Sequence, residues 1–297
     1  MIAVITGGTG FVGQHLVRAL IQIGATVRII TSRSHSKIPL LNLGDRIRWY
    51  GMDDYEIGCA IQDATHFFNF AVLYDRPIIS DAHIKAVNID LPLKILARLR
   101  QAGAPATCIF GDTFFRRFSP DATSQRRYTN SKIALAGKLD EIYKSSDMGG
   151  VRSALMQIEH VYGPGDSFSK FIPFITRQMI EGNPRISLTN GEQQRDFIHV
   201  DDVIEAILLI SKGQWSGFKL VECGTGVAIK VRKLVELQKI LTSSKSILGF
   251  GDLPADQKIE ISSANPTWLR AKDWRPRVTL EMGLLDLAED VTRRLSD

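Results

Sequence analysis

The chain has 297 residues, of which 44% are hydrophobic and 23% charged, with a formal net charge of +5. Such values exclude a disordered or low-complexity chain and fit one large domain, or one large and one small. The charge is modest and gathered in no basic run, Arg116-Arg117 and Arg126-Arg127 being only doublets, so no nucleic-acid partner is expected.

In chain order, Ile2–Thr6 is a compact apolar run that reads as a buried strand. Phe11–Ile23 carries Phe11, Val12, Leu16, Val17, Leu20 and Ile21 at helical spacing and stops at Gly24. Thr26–Thr31 is rich in β-branched residues. Ile47–Gly51, His66–Ala71 and Thr107–Phe110 are further short strands. Ile84–Ala102, closed by Gly103, and Asn130–Tyr143 are helix candidates, and Val151–Gln157 is another buried strand. Alternation of this kind predicts an α/β fold, a Rossmann-type doubly wound parallel sheet. After Tyr162 the rhythm changes. Gly163-Pro164-Gly165, Gly182-Asn183-Pro184 and Asn190-Gly191 punctuate short segments, which predicts a smaller C-terminal domain.

The three cysteines, Cys59, Cys108 and Cys223, are odd in number and widely spaced. Neither a disulfide framework nor a metal site is expected from them, and Cys108 and Cys223 read as small buried hydrophobes. No basic segment precedes Ile2 and no long apolar run occurs, so a cytoplasmic protein without signal peptide or membrane contact is expected.

The cluster Gly7-Gly8-Thr9-Gly10-Phe11-Val12-Gly13 lies between the first strand and the first helix, the context that a dinucleotide-binding loop requires. Gly7 permits the tight turn, Gly10 lets backbone approach a pyrophosphate, and Gly13 allows close helix–sheet packing. The N–H groups at the helix start, including those of Phe11 and Val12, then face the anion. At the end of the second strand an acidic residue would hold the ribose of NAD. The segment here is Ile30-Thr31-Ser32-Arg33-Ser34, with no carboxylate. Thr31 stands at the usual acidic position and Arg33 suits a 2′-phosphate, with Ser32 and Ser34 as hydrogen-bonding neighbours, so NADP(H) is expected over NAD(H).

Tyr128-Thr129-Asn130-Ser131-Lys132 puts Tyr128 and Lys132 at i and i+4, on one face of a helix. A lysine cation beside a tyrosine favours the phenolate, so Lys132 is expected to lower the pKa of Tyr128.

The order of the glycine loop and then the Tyr–Lys pair resembles the short-chain dehydrogenase/reductase superfamily. Val161-Tyr162-Gly163-Pro164-Gly165-Asp166 and Arg195-Asp196-Phe197-Ile198-His199-Val200-Asp201-Asp202-Val203 narrow the resemblance to its extended branch, the sugar-nucleotide epimerases and dehydratases. Gly217–Gly226 and the segment around Trp274-Arg275-Pro276 resemble that branch too. The resemblance implies Thr113, Tyr128 and Lys132 as catalytic residues, with Asp112 an alternative polar group to Thr113. It implies Phe70-Ala71 as the strand end beside the nicotinamide, Asn88 as a structural residue of the central sheet, and Arg195 and His160 as contacts to a nucleotide-sugar diphosphate. It further implies interleaved domains: 1–160 plus about 197–225 for the dinucleotide, and about 161–196 plus 226–297 for the substrate. A homodimer formed through the helices near Ile84–Arg100 and Asn130–Tyr143 is implied as well.

Two chemistries of the branch lack their residues here. Its 4,6-dehydratases carry Asp-Glu after the catalytic Thr, where this chain has Phe114-Phe115. Its fucose-nucleotide epimerase-reductases place a Cys and a His where this chain has Phe114 and Gly165. What remains is reduction of a nucleotide-linked 4-keto-6-deoxyhexose with NADPH, or an NAD-dependent 4-epimerisation. The stretches Phe110–Phe115 and Ile158–Pro164 resemble bacterial synthases of abequose-type deoxysugars, which carry out the reduction. A sensor that binds NADP(H) and catalyses nothing is the alternative from another class.

Overall fold

The computed structural model describes residues 1–32, 46–254 and 259–296. Contacts divide the chain into two units, Met1–Gln157 with Ala206–Val221, and Ile158–Glu205 with Glu222–Asp297.

The first unit is built on β1 (Ile2–Thr6), β2 (Thr26–Ile30), β3 (Ile47–Tyr50), β4 (His66–Asn69), β5 (Thr107–Thr113), β6 (Arg152–Ile158) and β11 (Phe218–Cys223), in the spatial order β11-β6-β5-β4-β1-β2-β3. β1 pairs in parallel with both β2 and β4. Ala3, Val4 and Ile5 are wholly buried, the pattern of a strand covered on both faces. The helix α1 (Phe11–Gln22) buries Gly13, Leu16, Val17 and Leu20, the three- and four-residue spacing of one helical face. Removing each such aliphatic side chain from water contributes about 2 kcal/mol before entropy is counted. The α2 helix (Asp54–Ile61) begins where Asp53 accepts the Glu56 N–H at 2.9 Å. Because β1 lies between β2 and β4, the chain leaves the sheet in opposite directions on either side of β1. The loops after β1 and β4 therefore meet at the carboxyl edge, the switch point where such sheets hold ligands.

Local patterning misses three features. The expected helix Ile84–Ala102 is three pieces: α3 (Asp81–Lys85), a π-helical turn at Ala86–Asp90, and α4 (Leu91–Gln101). A wide turn of this type aims a side chain that a regular helix would turn away, and here it carries Asn88. The strand expected over Thr107–Phe110 runs on through Thr113. The helix α5 (Arg126–Ser145) starts four residues before Asn130, so Tyr128 and Lys132 are both helical.

The second unit contains β7 (His160–Tyr162), α6 (Phe171–Ile180), β8 (Arg185–Leu188), β9 (Gln194–Arg195), β10 (Phe197–His199), β12 (Ile229–Lys230), α8 (Val231–Leu241), β13 (Ile247–Phe250), β14 (Ile261–Ser262), α9 (Thr267–Arg270) and α10 (Leu280–Ser296). Its strands pair as β10-β7, β12-β9-β14 and β13-β8. Ile172, Ile175, Leu234, Leu284 and Leu287 form the centre of its core. The helix α7 (Val200–Lys212) links the two stretches of chain. Among the described residues no helix is long and apolar enough to cross a membrane.

Candidate active site

At the end of β1 the chain turns through Gly7 with φ +75°, a conformation costly for any residue with a Cβ. A Cβ there would also collide with the backbone of Phe70 and Ala71 at the end of β4. One at Gly13 would strike the carbonyl of Gly7 and come within 2.8 Å of Gly8 Cα. The loop is therefore a backbone-only cradle seated on the switch point. Gly10 N–H donates to the Gly7 carbonyl at 2.9 Å, no side chain caps α1, and no acidic residue lies in its first turn. A helix start of this kind attracts an anion. The residues thus fit the pyrophosphate of a dinucleotide, with Phe11 and Val12 in the first turn and Ala71 against the loop. At the end of β2, Thr31 N–H donates to the Tyr50 carbonyl at 3.0 Å and Ser32 is exposed. The expected phosphate partner Arg33, with Ser34, lies outside the described residues.

Across the sheet edge, β5 and α5 bring Thr113, Tyr128 and Lys132 together. The residues are only 6%, 6% and 3% exposed, so proton transfers among them would be shielded from bulk water. Thr113 lies close enough to the Tyr128 phenol to favour its ionised form. Lys132 Nζ donates to the Gly111 carbonyl at 2.6 Å and lies 5.8 Å from the centre of the Tyr128 ring. Ser131 Oγ donates to the Tyr128 carbonyl at 2.6 Å and accepts Asn88 Nδ2 at 2.9 Å, so the π turn braces the first turns of α5.

The electrostatics overturn one expectation. Burial pushes the Tyr128 phenol well above its ordinary range, and Tyr74 and the Asp112 carboxylate push the same way. Thr113 alone opposes them. Lys132 is itself pulled down by burial, partly offset by Asp112. The predicted lowering of Tyr128 by Lys132 fails because both groups sit in a dry site, where desolvation outweighs a lysine occupied with a backbone carbonyl. Asp112 is held as well: burial raises its carboxyl, Arg116 Nε donates to its Oδ2 at 2.6 Å, and its buried Oδ1 has no hydrogen-bond partner among the described residues.

The other two singled-out residues lie in the second unit. His160 stands on β7, its Nδ1 3.6 Å from the buried carboxylate of Glu159 and its ring 5.7 Å from that of Phe197. The Arg195 guanidinium donates to the carbonyls of Gln194, Ile259 and Glu260 at 2.8, 3.0 and 3.3 Å, which ties β9 to the β14 side of its small sheet. Its neighbour Asp196 is wholly buried and accepts from Thr225 N, Thr225 Oγ1, Gly226 N and Ala264 N. Sequence reasoning missed this staple, and it missed a clasp in the first unit between Asp75 and Arg127. Both join residues distant in sequence. The local signs were slight: Asp196 lies within a recognised motif and Arg127 directly precedes the Tyr–Lys pair.

A Rossmann-type unit with a glycine cradle and a buried Thr–Tyr–Lys set defines the class of extended short-chain dehydrogenases/reductases. Residues 3–217 match the model of the NAD dependent epimerase/dehydratase family, and the chain belongs to that family. It is 31% identical over 296 residues, 96% of each chain, to the CDP-abequose synthase of Salmonella typhimurium. It is 22% identical over 323 residues, 97% of this chain and 96% of the other, to the dTDP-4-dehydro-6-deoxyglucose reductase of Escherichia coli. Among solved structures it resembles the UDP-glucose 4-epimerase of Thermotoga maritima with UDP-glucose (TM-score 0.82, 23% identity, 99% of this chain and 100% of that one). It also resembles that of Thermus thermophilus in complex with NAD (TM-score 0.78, 21% identity, 98% and 99%). At these identities the structural likeness speaks for the fold.

Proposed function

We propose that the chain is an NADP(H)-dependent reductase of the C4 ketone of a nucleotide-diphosphate-linked 4-keto-6-deoxyhexose. The observation that carries this reading is the buried set of Thr113, Tyr128 and Lys132, in which burial pushes the Tyr128 phenol well above its ordinary range. A reductase needs an acid at that position, and a tyrosine with a raised pKa is an acid still carrying its proton at neutral pH. The identity to CDP-abequose synthases over nearly the full chain supports the substrate class. The carboxylate-free end of β2 supports NADP(H) over NAD(H).

The chain's own residues then act as follows. The cradle of Gly7, Gly10 and Gly13 holds the pyrophosphate, and Ala71 lines the nicotinamide side. A bound reduced nicotinamide supplies the hydride for the carbonyl carbon. Tyr128 Oη gives its proton to the carbonyl oxygen as that oxygen becomes an alkoxide, and Thr113 Oγ1 donates a hydrogen bond to the same oxygen. Lys132 steadies the tyrosinate left behind until solvent returns the proton. Arg195 and His160 are the proposed contacts to the substrate diphosphate.

The test is a fluorescence titration of the purified protein with NADPH and NADH. Nucleotide-linked 4-keto-6-deoxyhexoses are then added while absorbance of the reduced cofactor is followed. Tighter NADPH binding and its oxidation by one ketosugar are expected. Retained NAD(H) with interconversion of C4 epimers and no net oxidation would replace this reading by an epimerase. Cofactor binding without turnover of any nucleotide sugar would replace it by a sensor.

A further inference from the structure

The segment between β4 and α3 is held by an unusual number of bonds for a loop. Leu73 donates its N–H to Asn88 Oδ1 at 2.8 Å and accepts Asn88 Nδ2 on its carbonyl at 3.0 Å. Asp75 N–H donates to Gln125 Oε1 at 2.9 Å. Arg127 does most of the rest. Its N–H and Nε donate to the Asp75 carboxylate at 3.0 and 2.8 Å, and its Nη atoms reach the Ile79 carbonyl at 2.7 Å, the Arg76 carbonyl at 2.8 Å and the Asp81 carboxylate at 3.1 Å. Ordering backbone costs about 1–2 kcal/mol per residue, so a loop pinned from both ends has been fixed against a real entropic cost. Between the pins stands Tyr74. Its ring centre is 5.0 Å from that of Tyr128, with the planes inclined by 47°. Arg127 is bonded in sequence to Tyr128, so the clasp and the phenol move as one piece.

We propose that the Asp75–Arg127 clasp seats Tyr74 on Tyr128, making Tyr74 and Arg127 positioning residues that shield the proton donor from water. The proposal rests on the reading of Tyr128 as that donor. The groups facing Tyr128 are Tyr74 from the loop, Asp112 and Thr113 from β5, and Lys132 from its own helix. Of these, Tyr74 is the one whose place depends on the clasp. An exposed phenol is more easily ionised than a buried one. Loosening the loop should therefore let Tyr128 ionise at lower pH.

The experiment reads Tyr128 without substrate, as the tyrosinate absorbance lost when Tyr128→Phe is introduced into each background. Tyr74→Ala and Arg127→Met should each move the Tyr128 midpoint down by about one pH unit or more. Tyr74→Phe, which keeps the ring and guards against a simple folding defect, should restore most of the wild-type behaviour. The double variant Tyr74→Ala/Arg127→Met should shift no further than the larger single, because both act through one ring. Unchanged midpoints in both single variants would overturn the proposal, as would a double shift equal to the sum of the two. With a turned-over ketosugar in hand, the alkaline limb of kcat should follow the same shifts. Shifted midpoints in a protein that turns over no ketosugar would support the clasp and sink the reductase reading.

Discussion

Replacing Asp196 by alanine should destabilise the second unit severely without touching the Thr–Tyr–Lys set. The carboxylate is wholly buried, with Oδ1 accepting from Thr225 N at 2.9 Å and Thr225 Oγ1 at 2.6 Å, and Oδ2 from Gly226 N at 2.9 Å and Ala264 N at 3.1 Å. It joins β9 to the turn after β11 and to the segment after β14. Alanine leaves all of these donors without an acceptor. The Ala264 amide is buried, while those of Thr225 and Gly226 are partly open to water that could replace some of the loss. At about 1–3 kcal/mol for each stranded donor, a loss of about 4 kcal/mol follows. That is a large share of the roughly 5–15 kcal/mol that holds a typical domain. Asp196→Asn keeps one acceptor oxygen and should lose about half as much. Urea unfolding followed by tryptophan fluorescence reads the effect, since Trp268 and Trp274 both lie in this unit. Asp196→Ala within about 0.5 kcal/mol of wild type would refute the reasoning, because surface changes fall in that range. So would an asparagine as costly as alanine.

Tyr128→Phe should cut turnover by about 100- to 10,000-fold, the range for loss of a positioned acid, while NADPH still quenches protein fluorescence with unchanged affinity. Full activity in this variant would end the assignment of Tyr128 as donor. Gly13→Ala should cost about 1–3 kcal/mol of stability and weaken cofactor binding, because the added Cβ meets backbone of Gly7 and Gly8 that no side-chain rotation can relieve; equilibrium unfolding and a cofactor titration check both. Burial pushes the Asp166 carboxyl up to about 6 from an ordinary 3.8. A folded-state pKa above the unfolded one means the folded protein binds the extra proton. This group's contribution is therefore full below pH 4 and is lost as pH rises through 6. Asp166→Asn should accordingly gain up to about 3 kcal/mol relative to wild type between pH 4 and pH 7, measured by urea unfolding at both, and a gap that does not widen would contradict the assignment.

What the sequence determined by itself is what depends on neighbours along the chain. The strands of the first unit were legible because buried parallel strands leave unbroken apolar runs, as in Ile2–Thr6. The cradle was legible because Gly7, Gly10 and Gly13 are spaced to the geometry of one strand-to-helix turn, and Tyr128 and Lys132 because a helix puts i and i+4 on one face. Cys108 and Cys223 are buried as their apolar surroundings predicted, and burial holds the Cys108 thiol at about 12. Tertiary structure decided the rest. The π turn that aims Asn88 answers to Leu73 and Ser131, not to its own helix. Arg127 read as half of a basic doublet until the fold brought Asp75 to it from 52 positions away. Asp196 read only as part of a segment shared with the family, yet its partners lie 29 to 68 positions on. The direction in which Tyr128 titrates reversed for the same reason: spacing along a helix sets which charges are near, but only the packed fold sets how much water is left between them.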